Sequence, residues 1–148
     1  MSKFSTQSLY EQDFHAWLSQ AALDLYHHDD AALDWENLAE EIDGMVKSQK
    51  RAIASNTKIV ILHLLKWKYQ PAKRSNSWLY TIAEHRERIE DAIVDSPSLK
   101  KVYEEGFEKA YDRARRGAAI ETGMPLNVFP PASPFTREQV IDPNFLPQ

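Results

Sequence analysis

The chain contains no cysteine, which excludes a disulfide framework, a thiolate metal site and a cysteine nucleophile. Long apolar runs are missing too. The longest, Ile59 to Leu62, falls far short of the ~20 residues that a membrane-spanning helix needs. Glycine is scarce, and none belongs to a phosphate-cradling loop. The strings His-Glu-x-x-His, Gly-x-Ser-x-Gly and Glu-x-x-His are absent, and with them the signatures of zinc peptidases, serine hydrolases and di-metal bundles. Met1 to Tyr10 has no apolar h-region, so no signal peptide, no membrane partner and a cytoplasmic location are expected. The last absence is the most informative: Gly44 to Ala83 has no Asp or Glu.

That middle segment carries eight Lys and Arg residues, while the remainder has ten basic residues against twenty-two acidic ones. A −4 chain thus divides into a +8 middle and a −12 remainder. Such asymmetry implies an anionic partner or charge pairing between segments. The 148 residues fit a single domain, residues 1–148, that buries roughly 70% of its unfolded surface. An apolar fraction of 43% with 27% charged residues is that of a globular chain.

Four helical faces can be read. Tyr10, Phe14, Trp17, Leu18, Ala21 and Leu25 recur at three- and four-residue steps within a helix from about Leu9 to His27. Asp34 reads as the N-cap of a second helix that lasts until Pro71 forbids it. That helix would be ~54 Å long if straight, so a bend at Gly44 is expected. Trp78, Ile82, His85, Ile89 and Ile93 mark a third helix behind Ser75 or Ser77. Ser96-Pro97 reads as cap and first residue of a fourth, which Gly123 ends in a left-handed conformation. Six of the eight prolines follow, among large apolar residues, and Thr136 with Gln139 forms a capping box. The expectation is an all-α fold: a four- to five-helix antiparallel bundle over about 8–123 with an extended proline-rich C-terminal strap over about 124–148.

Three groups of residues are candidates for a site. Lys58, Lys66, Lys68, Lys73 and Arg74 near Trp78 offer cations and an aromatic face, as nucleic-acid recognition would use. The competing reading is that they stabilise a helix C-terminus and face acidic helices, and a pI near 5.7 favours it. Glu36 and Glu40 share a helix face, and His63 and His85 fall at similar heights on neighbouring helices. All four are weak metal-ligand candidates. For both histidines the favoured reading is structural: neutral rings hydrogen-bonded to a carbonyl, hydroxyl or carboxylate. No catalytic residue and no cofactor is implied.

Several strings taken in order carry a resemblance. They are Tyr10-Glu11-Gln12-Asp13-Phe14, Leu33-Asp34-Trp35-Glu36-Asn37-Leu38-Ala39-Glu40-Glu41-Ile42, His63-Leu64-Leu65-Lys66-Trp67, Ser96-Pro97-Ser98-Leu99 and Asp142-Pro143-Asn144-Phe145-Leu146-Pro147. Together they resemble the bacterial family called domain of unknown function twenty-nine, over almost the whole chain. One departure is Ser133-Pro134-Phe135, where relatives often show Cys-Pro-Tyr. The resemblance implies a small helical bacterial domain and lends no activity. The functional expectation is a non-enzymatic binding or interaction module, with homo-oligomerisation plausible for a bundle rich in aromatics. The alternatives are nucleic-acid binding through the basic 58–74 face and a metal-dependent hydrolase or nuclease.

Overall fold

The computed structural model describes residues 9–148, and these are all-α, with no strand among the described residues. Met1 to Ser8, on which the expectation of a missing signal peptide largely rests, lie outside them. No helix among the described residues is long and apolar enough to cross a membrane. The helices are α1 (Phe14–Tyr26), α2 (Trp35–Tyr69), α3 (Asn76–Asp95), α4 (Leu99–Thr122) and α5 (Arg137–Ile141), with 3-10 turns at Pro71–Lys73 and Leu126–Val128. The chain divides into two compact units, Met1–Ser48 and Gln49–Gln148.

In the N-terminal unit the expected first helix is interrupted at Asp13, whose carboxylate accepts from the Ala16 N–H at 3.0 Å and caps α1. A side chain that caps competes with helix continuation, so one apolar face is carried by two helical segments. Trp17 and Ala21 are buried, and Tyr10, Phe14 and Trp17 pack ring against ring at 4.7–5.9 Å between centroids. The Trp17 Nε1 has no hydrogen-bond partner among the described residues. Helix α1 ends in a Schellman motif: the Asp29 N–H donates to the Asp24 carbonyl and the His28 N–H to that of Leu25. His28 holds the left-handed position there, with φ of 53°.

Asp34 caps α2 as expected, its carboxylate accepting from the Asn37 N–H and side-chain amide. Helix α2 is one uninterrupted helix from Trp35 to Tyr69, so Gly44 does not end it. A lone glycine costs a helix only about 1 kcal/mol.

In the C-terminal unit one hydrophobic core joins α2, α3, α4 and the segment after Gly123. Val60, Ile61, Leu64, Leu65, Ile89, Ala114, Phe129 and Val140 lie within it with essentially no exposure. Ser75 caps α3. The Ser96-Pro97 expectation is corrected: Ser96 closes α3 by donating its N–H to Ala92, and α4 starts only at Leu99 after a turn. The Ser96 carbonyl accepts the Leu99 N–H and that of Pro97 the Lys100 N–H, and Ser98 precedes α4 without a side-chain cap bond. Gly123 ends α4 at φ 71°, and Thr136 with Gln139 makes both bonds of the capping box.

The segment after Gly123 is bound by polar groups as well as apolar ones. Arg86, 4% exposed, donates from Nε to the Val140 carbonyl at 2.8 Å and from a terminal nitrogen to that of Gln139. The Tyr103 hydroxyl donates to Arg137, the Tyr111 hydroxyl to Pro130, and Arg115 to Phe129 and Leu126. A proline-rich segment forms no ladder of its own, so the helices' side chains satisfy its carbonyls. Burial pushes the Tyr103 hydroxyl well above the usual tyrosine range, and Tyr111 up to about 12.

Candidate functional site

The end of α2 and the following turn hold the expected basic face, but two of its cations are already engaged. Arg74 donates from Nε to the Trp67 carbonyl at 2.8 Å and lies over the Trp67 ring at 4.9 Å. The Lys66 ammonium sits 4.7 Å from the Trp78 ring centre and 3.5 Å from the Glu121 carboxylate, with only 14% of its side chain exposed. A cation stacked on an aromatic face and paired with a carboxylate has little left to offer a phosphate. Lys68 lies 5.9 Å from the centre of the Tyr69 ring, and Lys73 is exposed on the 3-10 turn. Trp78, half-buried, is the platform for Lys66 rather than an open face.

The sixth of these candidates, Lys58, belongs elsewhere. It lines a groove of about 360 Å³ between α2 and α4, together with Lys50, Arg51, Lys109 and Arg113. The sequence builds this groove by periodicity. Lys50, Ala54 and Lys58 recur every four residues along α2, while Gly106, Lys109, Ala110 and Arg113 step by three, one and three along α4. Small residues line the hollow and long cations rim it. Its lining holds five cations and no carboxylate. Among the described residues none of the five takes part in an ion pair. Like charges placed side by side without neutralisation are unfavourable unless an anion joins them. A recess of about 160 Å³, lined by Ile53, Thr57, Val102 and Tyr103, shares Lys50, Ala54 and Gly106 with the groove.

Sequence reading put only Lys58 of this set among the site candidates: Lys50 and Arg51 counted toward the basic middle segment, and Lys109 and Arg113 lie in a helix whose neighbours are acidic. The available signal was their spacing on the same face as Gly106 and Ala110. A larger hollow, of about 740 Å³, adjoins α4 and the segment after Pro130. Its one arginine, Arg137, is held by the Phe107 ring at 5.1 Å and the Glu104 carbonyl at 3.2 Å.

His63 and His85 are each half-buried and hydrogen-bonded. The His63 Nδ1 lies 2.9 Å from the Ile59 carbonyl, which can only accept, so that nitrogen carries the proton. The His85 Nδ1 lies 2.7 Å from the Asn56 Oδ1, and the Asn56 amide nitrogen donates in turn to Ala52. Burial lowers the pKa of both rings. Lys66 lowers it further for His63 against the Ile59 carbonyl, and Arg88 does so for His85. Glu36 and Glu40 belong to the N-terminal unit. Among the described residues no three His, Cys, Asp or Glu side chains come together as a metal site would require.

A family model described as "Domain of unknown function DUF29" matches residues 9–146. No curated protein and no solved structure matches the chain.

Proposed function

This chain belongs to the DUF29 family, and from that premise we propose that it is a non-enzymatic binding module whose ligand is a small, multiply charged phosphate compound held in the Lys50–Arg113 groove. The scaffold in this reading is a single domain, a four- to five-helix antiparallel bundle with a C-terminal strap. The observation that carries the proposal is the set of five cations around one groove with no carboxylate in its lining. Among the described residues Ser55 is the only hydroxyl there, and no imidazole or carboxylate stands in the lining to act as its base, which favours binding over turnover. Among the described residues the lining has no aromatic side chain on which a base would stack. The net charge of −4 and a pI near 5.7 also disfavour a long polyanion, which favours a compact ligand over a nucleic acid. The adjoining recess gives room for a small apolar body beside the phosphates.

Calorimetric titration with sodium tripolyphosphate at low and high salt tests this reading. Binding should weaken with salt and drop roughly tenfold in Lys50→Ala and in Arg113→Ala, the scale of one charge-assisted hydrogen bond. Lys68→Ala and Lys73→Ala should bind as the parent does. Nucleic acid through the 58–74 face is the second reading, resting on Lys68 and Lys73, which form no ion pair among the described residues. An oligonucleotide that binds more tightly than tripolyphosphate, and is lost on neutralising Lys68 and Lys73, would establish it instead. Flat titrations with both ligands at low salt would overturn the binding module itself.

A further inference from the structure

The recess beside the cation groove differs from the groove in chemistry. Ile53, Thr57 and Tyr103 in its lining are buried, and Val102 borders it from α4. Its side-chain polar groups are already engaged. The Thr57 hydroxyl donates to the Ile53 carbonyl at 2.6 Å, and the Tyr103 hydroxyl to that of Arg137 at 2.7 Å. Lys50 is the exception, and it lines the groove as well. A hollow of this kind gives water little to hold and takes an apolar occupant. Gly106 also lines both spaces. A Cβ placed there would meet nothing within 4 Å, so no neighbour's packing demands the glycine. Glycine inside a helix is unfavourable relative to alanine, and α4 carries it all the same. What the missing side chain leaves is an open passage from groove to recess.

Given an anion in the groove, as proposed above, we infer that the ligand is a short-chain organic diphosphate, its head among the five cations and its apolar body in the recess. The volume sets the size of that body. An apolar cavity of ~150 Å³ accommodates benzene, and this recess has about 160 Å³, so the body has about six carbons. Lys50, Ala54 and Gly106 line both spaces, so head and body adjoin without a spacer. Lys50 stands at the junction, where the last phosphate meets the first carbon. Five cations exceed what the two charges of a phosphate monoester would neutralise, which selects a diphosphate. Inorganic polyphosphate would fill the groove and leave the recess empty. A membrane lipid's acyl chain would overrun it.

Calorimetry on the full-length protein with methyl, butyl, hexyl and decyl diphosphate, beside tripolyphosphate, tests the inference. Affinity should rise about threefold for each methylene up to hexyl and level off before decyl. Gly106→Leu puts a side chain into the passage, and Val102→Phe narrows the recess itself. In both variants hexyl diphosphate should bind no more tightly than methyl diphosphate. Leucine favours a helix more than glycine does and meets no neighbour at Cβ, so Gly106→Leu folds, which circular dichroism checks. Should Val102→Phe misfold, Gly106→Leu decides alone. Tripolyphosphate binding together with equal affinities for all the alkyl diphosphates overturns the inference and leaves the anion groove standing. No binding of any probe, tripolyphosphate included, overturns the groove and the inference with it. Affinity that still climbs at decyl also overturns it, because the chain would then lie along open surface as a lipid's would. So does a gain with chain length that survives in Gly106→Leu.

Discussion

Residues 9–48 and residues 49–148 obey the same helical periodicity and use it differently. In the C-terminal unit the main apolar faces find a cover, which includes Phe129, Phe135 and Val140 from beyond the last long helix, and only scattered side chains such as Val94 and Ile120 stay bare. Among the described residues of the N-terminal unit Trp17, Ala21 and Leu33 are the buried apolar ones, while Phe14, Leu23, Tyr26, Ile42 and Met45 are among those left exposed. Charge divides in the same way. Residues 1–48 have ten acidic residues against two basic, and residues 49–148 have sixteen basic against twelve acidic. An amphipathic pattern therefore states only that a face will be covered, not by what. The C-terminal unit covers its faces internally, whereas the N-terminal unit keeps a surplus for something else.

The contrast can be broken most sharply by truncating one large side chain in each unit. Phe129→Ala removes a ring with no exposure and should cost about 3–5 kcal/mol. Tyr26→Ala removes one that is 82% exposed and should stay within about 0.5 kcal/mol. Urea denaturation of both variants measures the difference. Equal losses would mean that the N-terminal unit has a cover after all.

A smaller effect separates the units by pH. Burial keeps His63 and His85 below the ordinary histidine pKa, so the unfolded chain binds protons more readily than the folded one. Their contribution is thus complete above the unfolded value near 6.5 and is lost as pH falls through the lower folded values. Midpoints of denaturation should fall between pH 7 and pH 5, and His63→Gln with His85→Gln should flatten that slope. An unchanged slope would show that the rings are not protected.

The smallest expected change lies in the two left-handed helix ends. His28 occupies such a position in the N-terminal unit, where a side chain is strained by about 1 kcal/mol. His28→Gly should therefore raise stability by up to that amount, while Gly123→Ala in the other unit should lower it similarly. Thermal melts resolve both signs. A destabilising His28→Gly would mean that the imidazole makes up for its own strain.

Much of the fold was legible because its signals are local. Ser75, Gly123 and the Thr136–Gln139 box each act within four residues of themselves, and each stands where spacing placed it. Ser96-Pro97 misled because the same dipeptide suits a helix start and a turn, and only the run of α3 to Asp95 decides between them. The groove was illegible for another reason. Lys50 and Lys58 are more than fifty residues from Lys109 and Arg113, and no local rule joins them. The basic face was legible as charge but not as availability, since Trp67, Trp78 and Glu121 take up Arg74 and Lys66. Arg86 sat in plain view on the apolar face of α3, four residues after Ile82 and three before Ile89. A cation there signals acceptors arriving from elsewhere.

Those acceptors set an order on biosynthesis. Arg86 receives its carbonyls from Gln139 and Val140, fifty-three and fifty-four residues later. While a ribosome adds residues at ~5–20 per second, α3 is complete for several seconds before its guanidinium has anywhere to go. A buried cation without acceptors is strongly unfavourable, so the interior stays open during that interval. The expected outcome is that the C-terminal unit closes only once Val140 is free of the ribosome, so that arrested chains ending before Gln139 are cleaved by protease where the full chain resists.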